Sequence, residues 1–201
     1  MIVLLWLAGL LLPTGSQAQR PSDQIHLRRV DSRSVSVPVT STDDAPRSWL
    51  FGTDSGADDG SSTLLRIDRV SANSYVMGET RFVDVTDVVF LSDGRLFGVT
   101  FTDLLSINPQ TGVAVSIGSG IDFSAVNALD ADSDGVLYAA TLLGEFIRVD
   151  PVSGRGTLIG TYGMNLTSSG DIAFAPDGTL FGTATDGGPS DFLIRIDVAM
   201  I

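Results

Sequence analysis

The segment Asp130-Ala131-Asp132-Ser133-Asp134-Gly135 has the residue types and spacing of a cation-binding loop. Aspartates at positions 1, 3 and 5, followed by a glycine that permits a sharp turn, aim three carboxylates at one hard cation. The bidentate glutamate expected at position 12 of a calcium loop is replaced by Thr141. We therefore predict calcium as a candidate cofactor, with Asp130, Asp132 and Asp134 as its ligands. The alternative is an ordinary Asp-Gly hairpin turn that carries extra aspartates.

Side chains for zinc binding or nucleophilic catalysis are scarce in this sequence. Cysteine is absent, His26 is the single histidine, and Glu79 and Glu145 are the only glutamates. Zinc sites and serine hydrolases both depend on sets of such side chains. His26 lies in a polar stretch near the N-terminus, where a solvated tail residue is expected. No catalytic residue can be assigned, so enzymatic activity stays open and a non-enzymatic role is favoured.

The charge of the chain is strongly negative and comes almost entirely from aspartate. The 201 residues include 24 acidic and 12 basic side chains, which gives a formal net charge of −12. Phosphate backbones and anionic lipids would repel such a surface, so nucleic acid and membrane surfaces are not expected partners. Aspartate favours turns whereas glutamate favours helices, and the composition therefore indicates a turn-rich β protein.

A sequence motif of leucine, an aromatic residue and a small residue recurs at nearly constant spacing. Its copies begin at Leu50, Leu96, Leu137 and Leu180, at steps of 46, 41 and 43 residues. A second motif recurs with the same period. Its four copies are Leu65-Arg66-Ile67-Asp68, Leu105-Ser106-Ile107-Asn108, Ile147-Arg148-Val149-Asp150 and Ile194-Arg195-Ile196-Asp197. A period of about 40 to 45 residues is typical of propeller blades.

Each copy contains four short runs of β-branched, aromatic or other apolar residues, which are too short for helices. The first two runs are joined by Asp-Gly at 93–94, 134–135 and 177–178, a strong signal for a tight hairpin. The leucine and the aromatic residue of the second run are adjacent rather than alternating, which indicates a strand buried on both faces. The sequence thus predicts an all-β fold of about four four-stranded β-propeller blades, with repeats of about 40–45 residues.

These motifs, together with the run from Asp171 to Gly182, resemble the repeats of exported bacterial β-propellers of the NHL and WD-repeat kind. The resemblance covers about residues 49–201 and implies architecture rather than activity, because such blades host lyases, lactonases, binding modules and scaffolds. Propellers of this kind usually carry roughly six to eight blades, so a truncated sequence is one expectation. A four-bladed ring completed by a strand near Val35 is the other.

Three segments are predicted along the chain. Residues 1–18 are expected to be a signal peptide, because their apolar run is too short to span a bilayer and small residues precede the cleavage site. Residues 19–47 are expected to be a polar linker, with either a strand at 34–39 or no fixed structure. Residues 48–201 hold the β-propeller repeats. The mature protein is therefore expected to be secreted, periplasmic or on the cell surface, without membrane insertion.

Two functions follow from this architecture. The first is an exported, non-enzymatic binding or scaffold module for an unknown protein or glycan ligand, with the acidic loops 54–60 and 186–191 as its candidate surface. The second, implied by the resemblance, is a lactonase-like or lyase-like enzyme with a metal in the central channel. Its candidate ligands are Asp87, Asn127 and Asp171, which precede the first strand of their repeats.

The spacing around Asn127 differs from that of its counterparts. Asn127 stands seven residues before Asp134, whereas Asp87 and Asp171 stand six residues before the aspartates of their Asp-Gly pairs. This difference predicts a hairpin with one additional residue in the third repeat, which would widen its loop for an ion.

Overall fold

The computed structural model describes residues 26–29, 49–54 and 60–198 of the chain. The signal peptide predicted at 1–18, the strand considered at 34–39 and most of the loop 54–60 lie outside the described residues. The described part is all-β, with fifteen strands in four antiparallel sheets. It includes no helix that is long and apolar enough to cross a membrane.

Each sheet is one blade, and blades 1 to 4 follow in chain order. The first strand, β1 (His26–Arg29), precedes them in sequence and belongs to the sheet of blade 4. Blade 1 contains β2 (Trp49–Asp54), β3 (Ser61–Asp68) and β4 (Ser74–Val83). Blade 2 contains β5 (Asp87–Phe90), β6 (Leu96–Val99), β7 (Leu104–Ile107) and β8 (Ala114–Ile117). Blade 3 contains β9 (Val126–Ala131), β10 (Leu137–Thr141), β11 (Glu145–Val149) and β12 (Gly156–Thr161). Blade 4 contains β13 (Thr167–Phe174), β14 (Leu180–Thr185) and β15 (Phe192–Asp197).

Strand β1 supplies the fourth strand of blade 4. It pairs antiparallel with β15, and His26 lies opposite Asp197. This strand falls inside the stretch 19–47 that the sequence predicted to be a linker. The pairing brings the N-terminal side of the chain to the outer edge of the last blade, so that the edge of β15 is covered by a neighbouring strand.

The hairpins between the first and second strands have the same length in blades 2, 3 and 4. Phe90 pairs with Leu96 and Ala131 with Leu137, so that five residues, 91–95 and 132–136, form each loop. Residues 175–179 form the matching loop in blade 4. The loops also share their backbone hydrogen bonds, such as Gly94 N–H to the Leu91 carbonyl and Gly135 N–H to the Asp132 carbonyl. The prediction of a longer hairpin in the third repeat is therefore wrong.

The hydrophobic core lies between consecutive blades rather than within one. We call the side of a blade that contacts the next blade its forward face, and the opposite side its back face. Between blades 2 and 3, the forward face contributes Val89, Phe97, Val99 and Leu104, and the back face contributes Leu129, Leu137, Ala139, Ile147 and Val149. Both faces of the second strand of a blade are therefore buried, which explains why β6 is buried along its whole length.

At two places, glycines allow the outer-strand side of one blade to come into close backbone contact with a turn of the next blade. A Cβ atom at Gly78, at the middle of β4, would overlap the carbonyl oxygen of Thr111, and one at Gly112 would overlap the backbone of Gly78. Gly118 and Gly154 repeat this contact between blades 2 and 3. Because only a residue without a side chain fits here, these glycines set the distance between neighbouring blades.

Candidate functional site

The candidate site is formed by the inner strands, which are β5, β9 and β13 in blades 2, 3 and 4. Asp87 begins β5 and lies opposite Val99, and Asp171 in β13 lies close to the equivalent position opposite Thr183. In blade 3, Ala140 holds the position that Val99 has in blade 2, and the residue opposite Ala140 is Ala128. Asn127 therefore does not match Asp87 and Asp171, because it stands one residue earlier in the strand.

Asp87 joins blade 2 to blade 3 through its carboxylate. Its Oδ2 accepts the backbone N–H of Leu129 in β9 at 2.7 Å, and its Oδ1 accepts the N–H of Val88 at 2.7 Å. The preceding residue, Thr86, donates its hydroxyl to the carbonyl of Val126 at 3.1 Å. The inner edge of β9 has no neighbouring strand in its sheet. These side chains therefore satisfy backbone groups that a sheet edge leaves unpaired.

Asn127 plays the corresponding role between blades 3 and 4. With its amide oriented to satisfy its surroundings, the nitrogen donates to Ser168 Oγ at 2.9 Å and to the Ala140 carbonyl at 3.2 Å. The amide oxygen accepts the N–H of Gly170 at 3.2 Å. Asn127 is buried. Both ends of its amide thus contact protein groups, and its structural counterpart in blade 2 is Thr86 rather than Asp87.

The three carboxylates predicted to bind calcium have different surroundings. Asp130 points to blade 4, where its Oδ2 accepts the N–H of Phe174 at 2.6 Å. Asp132 closes its own hairpin, because its Oδ1 accepts the N–H groups of Asp134 and Val136 at 3.0 and 2.9 Å. Asp134 is exposed at the tip of the loop. Within the part of the chain that the structure describes, no three acidic or histidine side chains gather into a cation-binding group.

The inner strands concentrate negative charge around Asp87. Burial of this carboxyl, together with the nearby charges of Asp171 and Asp130, raises its pKa to about 8. The N–H groups of Leu129 and Val88 act in the opposite direction, because they stabilise the ionised form. Burial also raises the pKa of Asp130 and of Asp171. Asp171 as a whole residue is nevertheless exposed to solvent. The charge of Asp171 thus acts against ionisation of Asp87.

Sequence reasoning missed the part that Thr86 and Asp130 play between blades. A signal was nevertheless present in their spacing. Thr86 and Val126 are 40 residues apart, and Asp130 and Phe174 are 44 residues apart. Both separations fall near the repeat length, as expected for a side chain that contacts the equivalent strand of the next blade.

The loop between β14 and β15 is the exposed acidic surface at one end of blade 4. All residues from 186 to 191 are exposed, and Asp186 Oδ1 accepts the N–H of Gly188 at 2.9 Å. In an antiparallel blade this loop lies at the end opposite the Asp-Gly hairpin at 177–178. The matching loop of blade 1 includes residues 55–59, which lie outside the described residues.

Comparison with known proteins identifies the architecture. No protein-family model matches the chain, and no curated protein matches it in sequence. Among solved structures, a gluconolactonase from Xanthomonas campestris superimposes with a TM-score of 0.53 at 15% sequence identity, over 76% of this chain and 55% of that one. The fold is a propeller-like one. At this identity the similarity supports the fold and carries no information on activity.

Two further structures are similar over shorter parts of their length. The extracellular domain of a one-component system from B. thetaiotaomicron matches with a TM-score of 0.42 at 18% identity, over 61% of this chain and 17% of that one. Hydrazine synthase from Kuenenia stuttgartiensis matches with a TM-score of 0.46 at 16% identity, over 67% of this chain and 43% of that one. The propeller-like chain described here thus spans less than two thirds of the length of each of these proteins.

Proposed function

We propose that this chain is an exported, non-enzymatic binding or scaffold module whose ligand contacts the loop 186–191. The proposal rests on the observation that polar side chains of the inner strands form hydrogen bonds between blades. Asp87, Asn127 and Asp130 each hydrogen-bond the backbone or side chains of the next blade, which makes them parts of a rigid frame. Binding residues are commonly carried on loops that such a frame positions.

The chemistry of the loop selects the kind of ligand. Asp186 and Asp191 are both exposed, and the whole chain has a net charge of −12. Such a surface attracts cationic groups and repels anionic ones. We therefore expect the ligand to be a protein or glycan that presents basic groups, such as a lysine-rich peptide or an oligosaccharide of amino sugars.

Binding of a lysine-rich peptide and of amino-sugar oligosaccharides to the immobilised full chain tests this proposal. The double variant Asp186→Asn/Asp191→Asn is expected to weaken binding roughly tenfold, because the loop keeps its shape and loses two charges. The matched control is Asp93→Asn/Asp177→Asn, which removes two exposed charges at the opposite ends of blades 2 and 4. Equal weakening in both double variants would show attraction by net charge alone and would contradict a site on the loop.

The alternative is a metal-dependent enzyme of the propeller lactonase or lyase kind. It is favoured by the presence of Asp87 and Asp171 on the inner strands, where the charge of Asp171 raises the pKa of Asp87, and the similar gluconolactonase gives the class of substrate to try. Lactone hydrolysis would then require an added divalent cation and would be lost in both Asp87→Asn and Asp171→Asn. Hydrolysis that is absent with every cation tried would leave the binding module as the better account.

A further inference from the structure

The forward face of blade 4 is exposed, although its counterparts in the other blades are buried. Cross-strand pairing places Thr183 beside Leu193 and Phe181 beside Arg195 on this face. Leu193 is 42% exposed, whereas Leu104, which holds the equivalent position in blade 2, is 0% exposed. Leu193 is therefore exposed, and Phe181 is half-buried, where the repeat normally places a neighbouring blade.

The back face of blade 1 is exposed in the same way. Leu50, Gly52 and Leu65 share this face, and Val76 lies beside Leu65 in the adjacent strand. Leu50 is 56% exposed, whereas its equivalent Leu137 in blade 3 is 0% exposed. The series of blades thus has one open forward face and one open back face among the described residues.

The two open faces have the composition of partners that already bind each other inside this chain. Each of these forward faces presents an aromatic residue of the second strand, Phe97 in blade 2 and Tyr138 in blade 3, and each aromatic residue belongs to a hydrophobic cluster that includes a leucine of the following back face. Phe181 is that aromatic residue in blade 4.

We propose that the forward face of blade 4 binds the back face of blade 1 in a second copy of this chain. The contact is head to tail, and it repeats between copies the interface that joins blades within one copy. A heterologous contact of this kind either closes into a ring or continues as a filament. Two copies bring together eight of the blades that the structure describes, at the upper end of the roughly four to eight blades that propellers carry. We therefore expect a ring of two copies of this chain.

Light scattering coupled to size-exclusion chromatography tests the assembly. The wild-type chain is expected to show about twice its mass of 21.1 kDa at high concentration. Leu50→Asp and Leu193→Asp each place a charge on one open face and are expected to weaken dimerisation roughly tenfold or more. Val152→Asp is the matched control, because Val152 is 84% exposed in a turn away from both faces. All three sites are exposed, so the variants are expected to fold.

Mixing the two interface variants distinguishes head-to-tail contact from other dimers. Leu50→Asp keeps an intact blade 4 and Leu193→Asp keeps an intact blade 1, so the mixture can form one good interface and is expected to dimerise better than either variant alone. Since the chain has no cysteine, Leu50→Cys and Leu193→Cys each introduce a single thiol. A disulfide between these two single variants supports the proposal. A monomer at every concentration, or a disulfide closed within one chain carrying both substitutions, overturns it.

Discussion

The carboxyl group of Asp87 accepts the backbone N–H of Leu129 across the boundary between blades 2 and 3, at 2.7 Å. Asp130 makes the same kind of contact with Phe174 between blades 3 and 4, at 2.6 Å. Both N–H groups belong to inner strands that lie at the end of their sheets. Unpaired backbone groups at such edges are costly when water is excluded. These aspartates therefore stabilise the contact between blades, and they do so with groups whose pKa is raised by burial.

The stability of the protein is expected to fall as the pH rises, and Asp87 is expected to cause part of this fall. The folded chain holds a proton on Asp87 up to a pKa of about 8, whereas the unfolded chain releases it near the ordinary value of 3.8. The group therefore lowers the free energy of unfolding progressively between these two values, and by a constant amount above them. Asp87→Asn keeps an oxygen for the Leu129 N–H but cannot ionise.

We accordingly expect Asp87→Asn to lose less stability than the wild type between pH 5 and pH 8. The difference should be roughly 1–3 kcal/mol, reduced from about 1.4 kcal/mol per pKa unit because the side chain keeps some solvent access. Urea denaturation at several pH values measures it. Asp93→Asn is the control and should keep the wild-type pH profile in this range, since hydrogen bonds from Arg95 lower the pKa of Asp93 and its titration therefore lies below pH 5. Parallel pH profiles for wild type and Asp87→Asn would refute the prediction.

Removal of the Asp130 carboxylate is expected to weaken the contact between blades 3 and 4. Asp130→Ala leaves the N–H of Phe174 without its acceptor, at a cost of roughly 1–3 kcal/mol in the free energy of unfolding. Asp134→Ala, four residues along in the same hairpin, changes an exposed side chain and should cost about 0.5 kcal/mol or less. Urea denaturation of both variants is the measurement. Similar losses in the two would mean that the Asp130 contact contributes little.

The glycine contact between blades 1 and 2 is expected to tolerate no side chain. Gly112 has a φ of 75°, and a Cβ atom there would also overlap the backbone of Gly78. Gly94 has a φ of 88° and no atom within 4 Å of an added Cβ, so it isolates the cost of the backbone conformation. Gly94→Ala should lose about 1–2 kcal/mol. Gly112→Ala should lose about 2 kcal/mol more. Thermal melts that rank the two variants equally would exclude a steric role for this contact.

Calcium binding by Asp130, Asp132 and Asp134 stays a prediction, which melts with calcium and with a chelator can test. A bound cation would relieve the repulsion among three carboxylates and would stabilise the folded chain by about 2.7 kcal/mol at a concentration one hundred times the Kd. The wild type should then melt higher in calcium, and Asp134→Asn should lose that difference. Identical melting temperatures in all conditions would favour the plain hairpin, in which Asp132 binds the N–H groups of the loop.

The blades could be predicted from the sequence because their determinants are local. The adjacent leucine and aromatic residues at Leu96 and Phe97 require burial on both faces, and β6 is buried throughout. Asp-Gly at 134–135 requires a tight turn, and Gly135 has the positive φ that such a turn needs. Hydrophobic patterning and turn chemistry act within a few residues, so the strands of each repeat can be predicted from the sequence of that repeat alone.

The tertiary structure decided which residues are equivalent and which strands are neighbours. Choosing a polar residue before the first strand made Asn127 the counterpart of Asp87, but the strand register gives that position to Ala128, which stands six residues before Asp134 as Asp87 stands six before Asp93. Nothing within His26–Arg29 indicates its pairing with β15 at the far end of the chain. Register and pairing are set by hydrogen bonds between segments distant in sequence, and the same residues can form them in more than one alignment. Local sequence therefore determined the blades, whereas contacts between blades determined how their polar residues are used.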